Sequence, residues 1–286
     1  KQYLDFNFSI CHYNHMARKK SNLDELLCMN VAKKYKITFY NDSMLINTNT
    51  KMNETNLRNN RYSFINKIYH NNNFDSIFTA HHADDQIETY LMRKNQTNDS
   101  MILTGIRKKY KNLHRPLLEI SKDEIYSYAK FYKLNWNEDE SNKNINHLRN
   151  NIRNTIIPNM IVKDLNFKNK MLDKINFSIE KSKLIKDKVN AFLESKVVFR
   201  NERIFINKGF LLKEEDFVIK YIIKKIISLY FKDKLNFSNK HLSNFIFFLR
   251  NKNNNINFQI CKNIIILKYN DDVVFYKKSF ISNKNI

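Results

Sequence analysis

Glycine and proline are nearly absent, with two of each in 286 residues. That scarcity excludes collagen-like, polyproline and glycine-serine linker segments. It also leaves no visible phosphate cradle, because neither Gly105 nor Gly209 sits in a glycine-rich loop; such a loop needs glycine so that backbone N–H groups can close around a phosphate. Cysteine is sparse too. Cys11, Cys28 and Cys261 lie far apart and form no C-x-x-C pair. No disulfide framework or zinc knuckle follows, and the expected compartment is a reducing one, the cytoplasm or alternatively an organelle stroma. No apolar run approaches the roughly 18 residues of a membrane-spanning helix: residues 217–230 are too charged and 264–267 too few. No membrane partner is therefore expected. No signal peptide is visible, but the first residue is Lys rather than Met, so the chain is expected to be incomplete at its start.

What the chain has in excess is positive charge, 50 Lys+Arg against 28 Asp+Glu, a formal +22. Such a surplus points to a polyanionic partner, of which nucleic acid is the commonest. The surplus is uneven: residues 1–161 hold 24 basic and 16 acidic residues (+8), and residues 162–286 hold 26 and 12 (+14). The abundance of Lys, Asn and Ile also reads as coding bias in an AT-rich genome, which discounts part of the charge.

Taken in order, the pattern alternates strands and helices. Residues 6–15 and 37–40 read as strands, and a capping pattern at Ser21-Asn-Leu-Asp24 opens a helix through Leu26, Leu27 and Val31. Residues 54–69 read as a helix, 76–80 as a strand and 113–118 as an extended piece, and Ser121-Lys-Asp-Glu124 opens another helix. This alternation predicts an α/β fold with a doubly wound parallel sheet. A helix from about 146 to 155 is expected to end before Pro158, with a domain boundary at 160–165. Beyond it, helices near 166–195, 214–231 and 238–250 and extended runs at 197–206 and 258–276, the last turning at Asn270-Asp-Asp272, predict a smaller mixed α+β domain. Leu242, Phe245, Ile246 and Leu249 form an apolar stripe that belongs in a core.

Chemistry concentrates at one place. The strand at 76–80 breaks at His81 and His82, and a helix follows whose start carries Asp84, Asp85 and Glu88. Carboxylates at a helix start also satisfy the helix dipole, which is the plainer explanation. Paired histidines at a strand end favour a site, since ligands bind at the carboxyl ends of parallel strands. Asp85 and Glu88 have no Lys or Arg three or four residues away to cancel their charge. The plainer reading of His12 and His15 is a half-exposed strand, that of Trp136 is packing, and that of Arg107-Lys-Lys-Tyr-Lys111 is a solvated loop.

Six motifs stand in a fixed order: His12-Tyr-Asn-His15 with Arg18 and Ser21; Glu54 with Arg58, Arg61 and Tyr62; His81-His-Ala-Asp-Asp-Gln-Ile-Glu-Thr89; Arg115-Pro-Leu-Leu118; Trp136-Asn-Glu-Asp-Glu-Ser-Asn142; and Arg149-Asn-Asn-Ile-Arg153 with Pro158. Over about residues 9–160 the chain resembles the tRNA(Ile)-lysidine synthase family of the PP-loop ATP pyrophosphatase superfamily. The resemblance implies a nucleotide-binding catalytic domain over 1–160, incomplete at its start, and a basic tRNA-binding domain over 165–286. It implies ATP and Mg²⁺ as cofactors, and free lysine and tRNA(Ile) with a CAU anticodon as partners. In that family the carbonyl oxygen on the ring carbon between the two nitrogens of the wobble cytidine is adenylated, and the side-chain amine of lysine then displaces AMP.

Under that resemblance His81, His82, Asp84, Asp85, Glu88 and Arg115 are the catalytic candidates. Asp85 and Glu88 would seat the lysine cation, and Asp84 would serve the metal. Arg58, Arg61, Arg149 and Arg153 would meet ATP or tRNA through guanidinium forks. One departure stands out: the family's Ser-Gly-Gly-x-Asp-Ser loop belongs one strand-and-helix unit before His12 and is not found in the chain. Three other functions stay in view. A related PP-loop enzyme that thiolates tRNA usually needs paired cysteines. A metal-dependent phosphohydrolase would use His81, His82, Asp84 and Asp85 as ligands, although adjacent strand histidines diverge. A catalytically inactive tRNA-binding remnant is the last.

Overall fold

The computed structural model describes residues 7–16, 20–44, 54–97, 99, 101–139, 147–231, 239–251, 253 and 256–279. The chain divides into two compact units, Lys1–Ile179 and Glu180–Ile286. In the first, β1 (Ser9–Asn14) runs parallel to β2 (Thr38–Ser43) in the register Ser9 to Thr38, with α1 (Ser21–Tyr35) as the crossover. After α2 (Glu54–Asn71), β3 (Ile77–Phe78) pairs in parallel with β5 (Leu113–His114), and β4 (Lys109–Tyr110) is antiparallel to β5. Between β3 and β4 comes α3 (Ala83–Lys94), and after β5 comes α4 (Lys122–Phe131). The α/β reading with parallel pairing therefore holds. Among the described residues these strands form two small sheets. The β1 and β2 sequences, SICHYN and TFYNDS, are polar over much of their length and mostly half-buried or exposed. A wide parallel sheet needs near-continuous apolar runs covered on both faces.

Two helix starts show how the local code is read. Ser121 caps α4 as its pattern predicts: its Oγ accepts the Glu124 N–H at 3.2 Å, and its N–H donates to Glu124 Oε2 at 2.8 Å. Ser21 does not cap α1. The cap position is Lys20, and Ser21 lies buried inside the first turn. The first-turn polar groups are used by the strand end instead: the Asn14 amide donates to Asn22 Oδ1 and to Glu25 Oε2, both at 3.0 Å. Asn14 is thereby buried at the carboxyl end of β1, and its Oδ1 accepts the Met16 N–H.

Pro158 does not end a helix. The run α5 (Leu148–Asn151), a π-helical turn (Ile152–Ile156) and α6 (Ile157–Lys163) continues through it. Proline lacks the N–H that the regular i to i−4 bond requires, and the wider turn just before it absorbs the gap. The chain then enters α7 (Phe167–Lys196), and the boundary between the units falls inside this helix rather than at 160–165. The helical face of α3 explains that shift. Ile87 and Tyr90 pack with Leu103, Ile152, Ile157 and Ile175 in one buried cluster, so the start of α7 belongs to the first unit's core.

The second unit is a five-stranded antiparallel sheet in the order β6 (Val197–Arg200), β7 (Arg203–Asn207), β10 (Asp272–Lys277), β9 (Ile264–Tyr269), β8 (Ile256–Cys261). Among the described residues the latter part of α7 and three further helices, α8 (Lys208–Leu212), α9 (Asp216–Tyr230) and α10 (Asn239–Arg250), accompany it, as the mixed α+β reading expects. Asn270, at φ 51°, turns the β9–β10 hairpin as predicted. Phe245, Ile246 and Leu249 are buried in the expected stripe, while the side chain of Leu242 lies outside the description. Lys268 is a surprise: it is fully buried, and its ammonium donates to the Phe248 carbonyl at 3.1 Å and to that of Asn251. It closes the carboxyl end of α10, so not every lysine here faces a partner.

One glycine is required by geometry. Gly105 has φ +59°, and a Cβ there would lie 2.2 Å from Gln86 Oε1. The buried Gln86 side chain holds this loop, donating to the Ile106 carbonyl at 3.1 Å and accepting the Ile106 N–H. Gly105→Ala is expected to cost at least about 1–2 kcal/mol from the left-handed backbone alone, read as a lower urea midpoint; an unchanged midpoint would show that the loop relaxes freely.

Candidate active site at the ends of the parallel strands

The site is built where β1 and β3 run out. Thr79 and His81 follow β3, with the Thr79 hydroxyl 3.0 Å from His81 Nδ1. His82 is the cap residue of α3, and its backbone N–H donates to Asp85 Oδ2 at 3.0 Å. This bond fixes the first turn of α3 and turns Asp85 inward, where it is buried. One turn on, Glu88 is only 1% exposed. A carboxylate so placed needs charged partners, since an unpaired buried ion costs several kcal/mol.

The partners come from the α5 and π-helical segment. Arg149 donates from Nε to Glu88 Oε2 at 2.7 Å and from Nη2 to Asp85 Oδ1 at 2.6 Å. Arg153 donates from Nε to Glu88 Oε1 at 2.6 Å and from Nη2 to Glu88 Oε2 at 2.9 Å. The bonds to Glu88 raise the Arg153 pKa above its ordinary value, so it stays a cation. The cluster of Ile87, Tyr90, Ile152 and Ile157 holds the two segments in this register. The carboxylates expected to present uncancelled charge to a cationic substrate are thus already matched, by residues more than sixty positions away. The helical count of three or four residues was the wrong range in which to look.

Asp84 is also engaged. Its Oδ1 lies 2.7 Å from Lys168 Nζ, and its Oδ2 accepts the Lys122 N–H at 2.8 Å. Burial pushes its pKa up, but the bonds from Lys168 and the Lys122 N–H outweigh that and hold it below the usual carboxylate value. Lys168 reaches Asp123 as well, at 3.2 Å. An ammonium at 2.7 Å and an amide N–H leave Asp84 poorly suited to a divalent cation, so the metal-ligand expectation does not fit this arrangement. Among the described residues no group of three or more His, Cys, Asp and Glu side chains forms a metal cluster.

Around this knot stand the other arginines. Arg115 is buried, donates from Nη1 to the Arg107 carbonyl at 2.6 Å, and keeps its Nε without a protein partner. Arg58 lies 4.8 Å from the Tyr62 ring centroid and Arg61 5.6 Å from it. Burial lowers the Arg61 pKa; Tyr62 opposes this, and Arg58 and Arg149 add to it. Burial likewise depresses His15, with help from Arg61 and His12. His81 is the strongest case: burial pushes it down to about 4 against the pull of Asp85, and Arg115, Arg58 and Arg149 push the same way. At neutral pH His81 is therefore an uncharged imidazole in a cationic setting.

The structure thus brings Arg58, Arg61, Arg115, Arg149 and Arg153 together with His81, His82, Asp84, Asp85 and Glu88. Arg18, Glu140, Ser141, Asn142 and the Glu54 side chain lie outside the description. Trp136 is exposed, its ring 5.8 Å from that of Tyr126, and both donate to Glu138 Oε1. Lys168 was not foreseen. It is one lysine among many in a polar helix, and no sequence signal marks it. Asn14 did stand inside a recognised motif, and its place at a strand end was the available clue.

The family model and the curated relatives point to one family. A family model described as the PP-loop domain matches residues 1–160. The tRNA(Ile)-lysidine synthase of Mycoplasma mycoides subsp. mycoides is 31% identical over 292 residues, covering 97% of this chain and 68% of that protein. That of Persephonella marina is 34% identical over 155 residues, covering 53% of this chain and 34% of the relative. A solved U34-tRNA thiolase from Methanococcus maripaludis aligns with 59% of this chain and 60% of its own at a TM-score of 0.47 and 16% identity.

Two measurements test the electrostatics. Glu88→Gln is expected to cost about 3 kcal/mol in urea unfolding, the lower end for breaking a buried ion pair, because the guanidiniums are 27% and 24% exposed. Combined with Arg153→Gln, the loss should be well below additive. Strict additivity would mean that the pair is not coupled. For His81, a folded pKa near 4 against the ordinary 6.5 means that the unfolded chain binds more protons between those values. Its contribution is complete above pH 6.5 and is lost as pH falls toward 4. An NMR titration showing His81 protonating near 6.5 in the folded protein would contradict this.

Proposed function

The chain belongs to the tRNA(Ile)-lysidine synthase family, built on the PP-loop domain, and from that premise we propose that it ligates free lysine to the wobble cytidine of tRNA(Ile) bearing a CAU anticodon, at the expense of ATP. The carbonyl oxygen of the cytosine ring takes the adenylyl group and pyrophosphate leaves. The lysine side-chain amine then attacks the same ring carbon, loses a proton, and AMP departs with the oxygen.

The observation that carries the reading is the arginine group beside the carboxylate knot. Both half-reactions release phosphate anions, and guanidinium forks fixed in place suit them better than mobile ammoniums. Asp85 and Glu88 hold the inner edges of Arg149 and Arg153, whose side chains remain about a quarter exposed. Arg115, with an unpartnered Nε, and Arg58 and Arg61 add charge on the same side as His81. Arg115 is proposed to meet developing negative charge, and the uncharged His81 to donate or accept one hydrogen bond without adding another cation. Asp85 and Glu88 are assigned to positioning these arginines, because their oxygens are occupied. A nucleotide-bound Mg²⁺ would neutralise phosphate charge in this chemistry, and Asp84, already engaged by the Lys168 ammonium and the Lys122 N–H, does not fit as its ligand.

The test is AMP release and transfer of labelled lysine to RNA. Release should require lysine and tRNA(Ile) together, and a tRNA with a different wobble base should give neither product. Arg115→Lys should lower kcat by about two to three orders of magnitude, the loss of one charge-stabilising donor. AMP release that ignores lysine, or labelled lysine found anywhere but the wobble cytidine, would overturn the assignment.

A further inference from the structure

Consecutive backbone carbonyls tie the segment between α3 and β4 to two different parts of the first unit. Those of Gly105 and Ile106 accept from α3: Arg93 Nη1 donates to the first at 2.6 Å, and Gln86 Nε2 donates to the second at 3.1 Å. Those of Arg107 and Lys108 accept from Arg115. Its Nη1 donates to the Arg107 carbonyl at 2.6 Å, and its backbone N–H donates to that of Lys108 at 2.9 Å. The start of the segment is thus held by α3, and its end holds Arg115.

Gln86 grips that start at two points. Its buried amide donates to the Ile106 carbonyl and accepts the Ile106 N–H, so both polar groups of one residue are taken by one side chain. A single hydrogen bond lets a backbone swivel, and a pair fixes its rotation as well. The left-handed turn at Gly105 is shaped around the same amide, whose Oε1 occupies the space a Cβ would need. Gln86 also lies between Asp85 and Glu88, which bind Arg149 and Arg153. One turn of α3 therefore connects to arginines from two separate stretches of chain.

We infer that Gln86 is a positioning residue for Arg115, acting through the backbone of Ile106 and Arg107. Arg115 is buried and its Nε has no protein partner. A guanidinium is planar, so the bond that anchors Nη1 to the Arg107 carbonyl also sets the direction of the Nε–H. Donors that stabilise developing charge act best when they stand in place before the charge appears. Gln86 provides that by locking the Arg107 carbonyl to the helix that already fixes Arg149 and Arg153. The inference rests on the proposed role of Arg115 and adds to it the group that aims it.

The experiment places Gln86→Met, which keeps the length of the side chain and removes both bonds, in a double-mutant cycle with Arg115→Lys. Gln86→Met should lower kcat for lysine-dependent AMP release by up to about a hundredfold, the cost of a donor displaced by an ångström, with the KM for lysine within about twofold. In the Arg115→Lys background it should cost almost nothing more, because the group it aims is already lost. Ile175→Val trims the core beside Gly105 and removes no hydrogen bond; it should lower the urea midpoint and leave kcat unchanged. A readout independent of the reaction is the Arg115 Nε–H resonance by NMR. It should shift and exchange faster with water in Gln86→Met and stay in place in Ile175→Val. Gln86→Glu, which removes only the donor, carries the same test should Gln86→Met not fold. An Arg115 resonance that ignores the Gln86 substitution would overturn the inference. So would an unchanged kcat, or losses that multiply, where Arg115→Lys alone slows the reaction. Full activity in Arg115→Lys with a shifted resonance would instead overturn the role of Arg115 in the reaction and leave its positioning by Gln86 standing.

Discussion

The ion-pair knot of Asp85 and Glu88 with Arg149 and Arg153 is the constraint from which the first unit's site follows. Glu88 is as buried as the core isoleucines beside it, and an ion in that position is tolerable only with its oxygens bonded to cations. Two guanidinium forks supply that, and the planar geometry of arginine lets one side chain bridge two carboxylates. The same bonds join α3 to the helical run through Pro158. The apolar cluster beneath holds the register, so packing and electrostatics act on one pair of segments.

Beyond the knot, the balance of charge tips positive. Two carboxylates offset two arginines, and Arg115 and Arg58 add to the burial that keeps His81 uncharged. A strand-end site with surplus guanidinium favours substrates that bring phosphate, and disfavours free cations. In the proposed reaction the amine must arrive uncharged to attack, and a cationic setting lowers the cost of losing its proton.

The second unit carries much of the positive charge, but its lysines serve different ends. Lys268 is consumed inside the core by the end of α10. Lys188 is tied to Glu214 at 2.6 Å. At the β6–β7 hairpin the tight turn sets Arg200 directly opposite Arg203. Net charge therefore does not say which of these cations can meet a polyanion.

The family, the α/β alternation and the candidate side chains could all be read from the chain. Motif order and the 2 and 3.6 residue periods are local properties that survive without coordinates. Ser121 and Asn270 behaved as their local patterns require, because a cap or a hairpin turn is settled within four residues. What only the tertiary structure decided was pairing between distant segments. Whether Asp85 was cancelled depended on Arg149, whether Asp84 was open depended on Lys168, and whether Ser21 capped its helix depended on the claim of Asn14 on its neighbours. The domain boundary moved for the same reason: Pro158 looks like a stop in sequence, yet the cluster joining Ile87 to Ile175 carries the first unit into α7. Charge and burial are sums over neighbours in space, and a linear chain lists only neighbours in order.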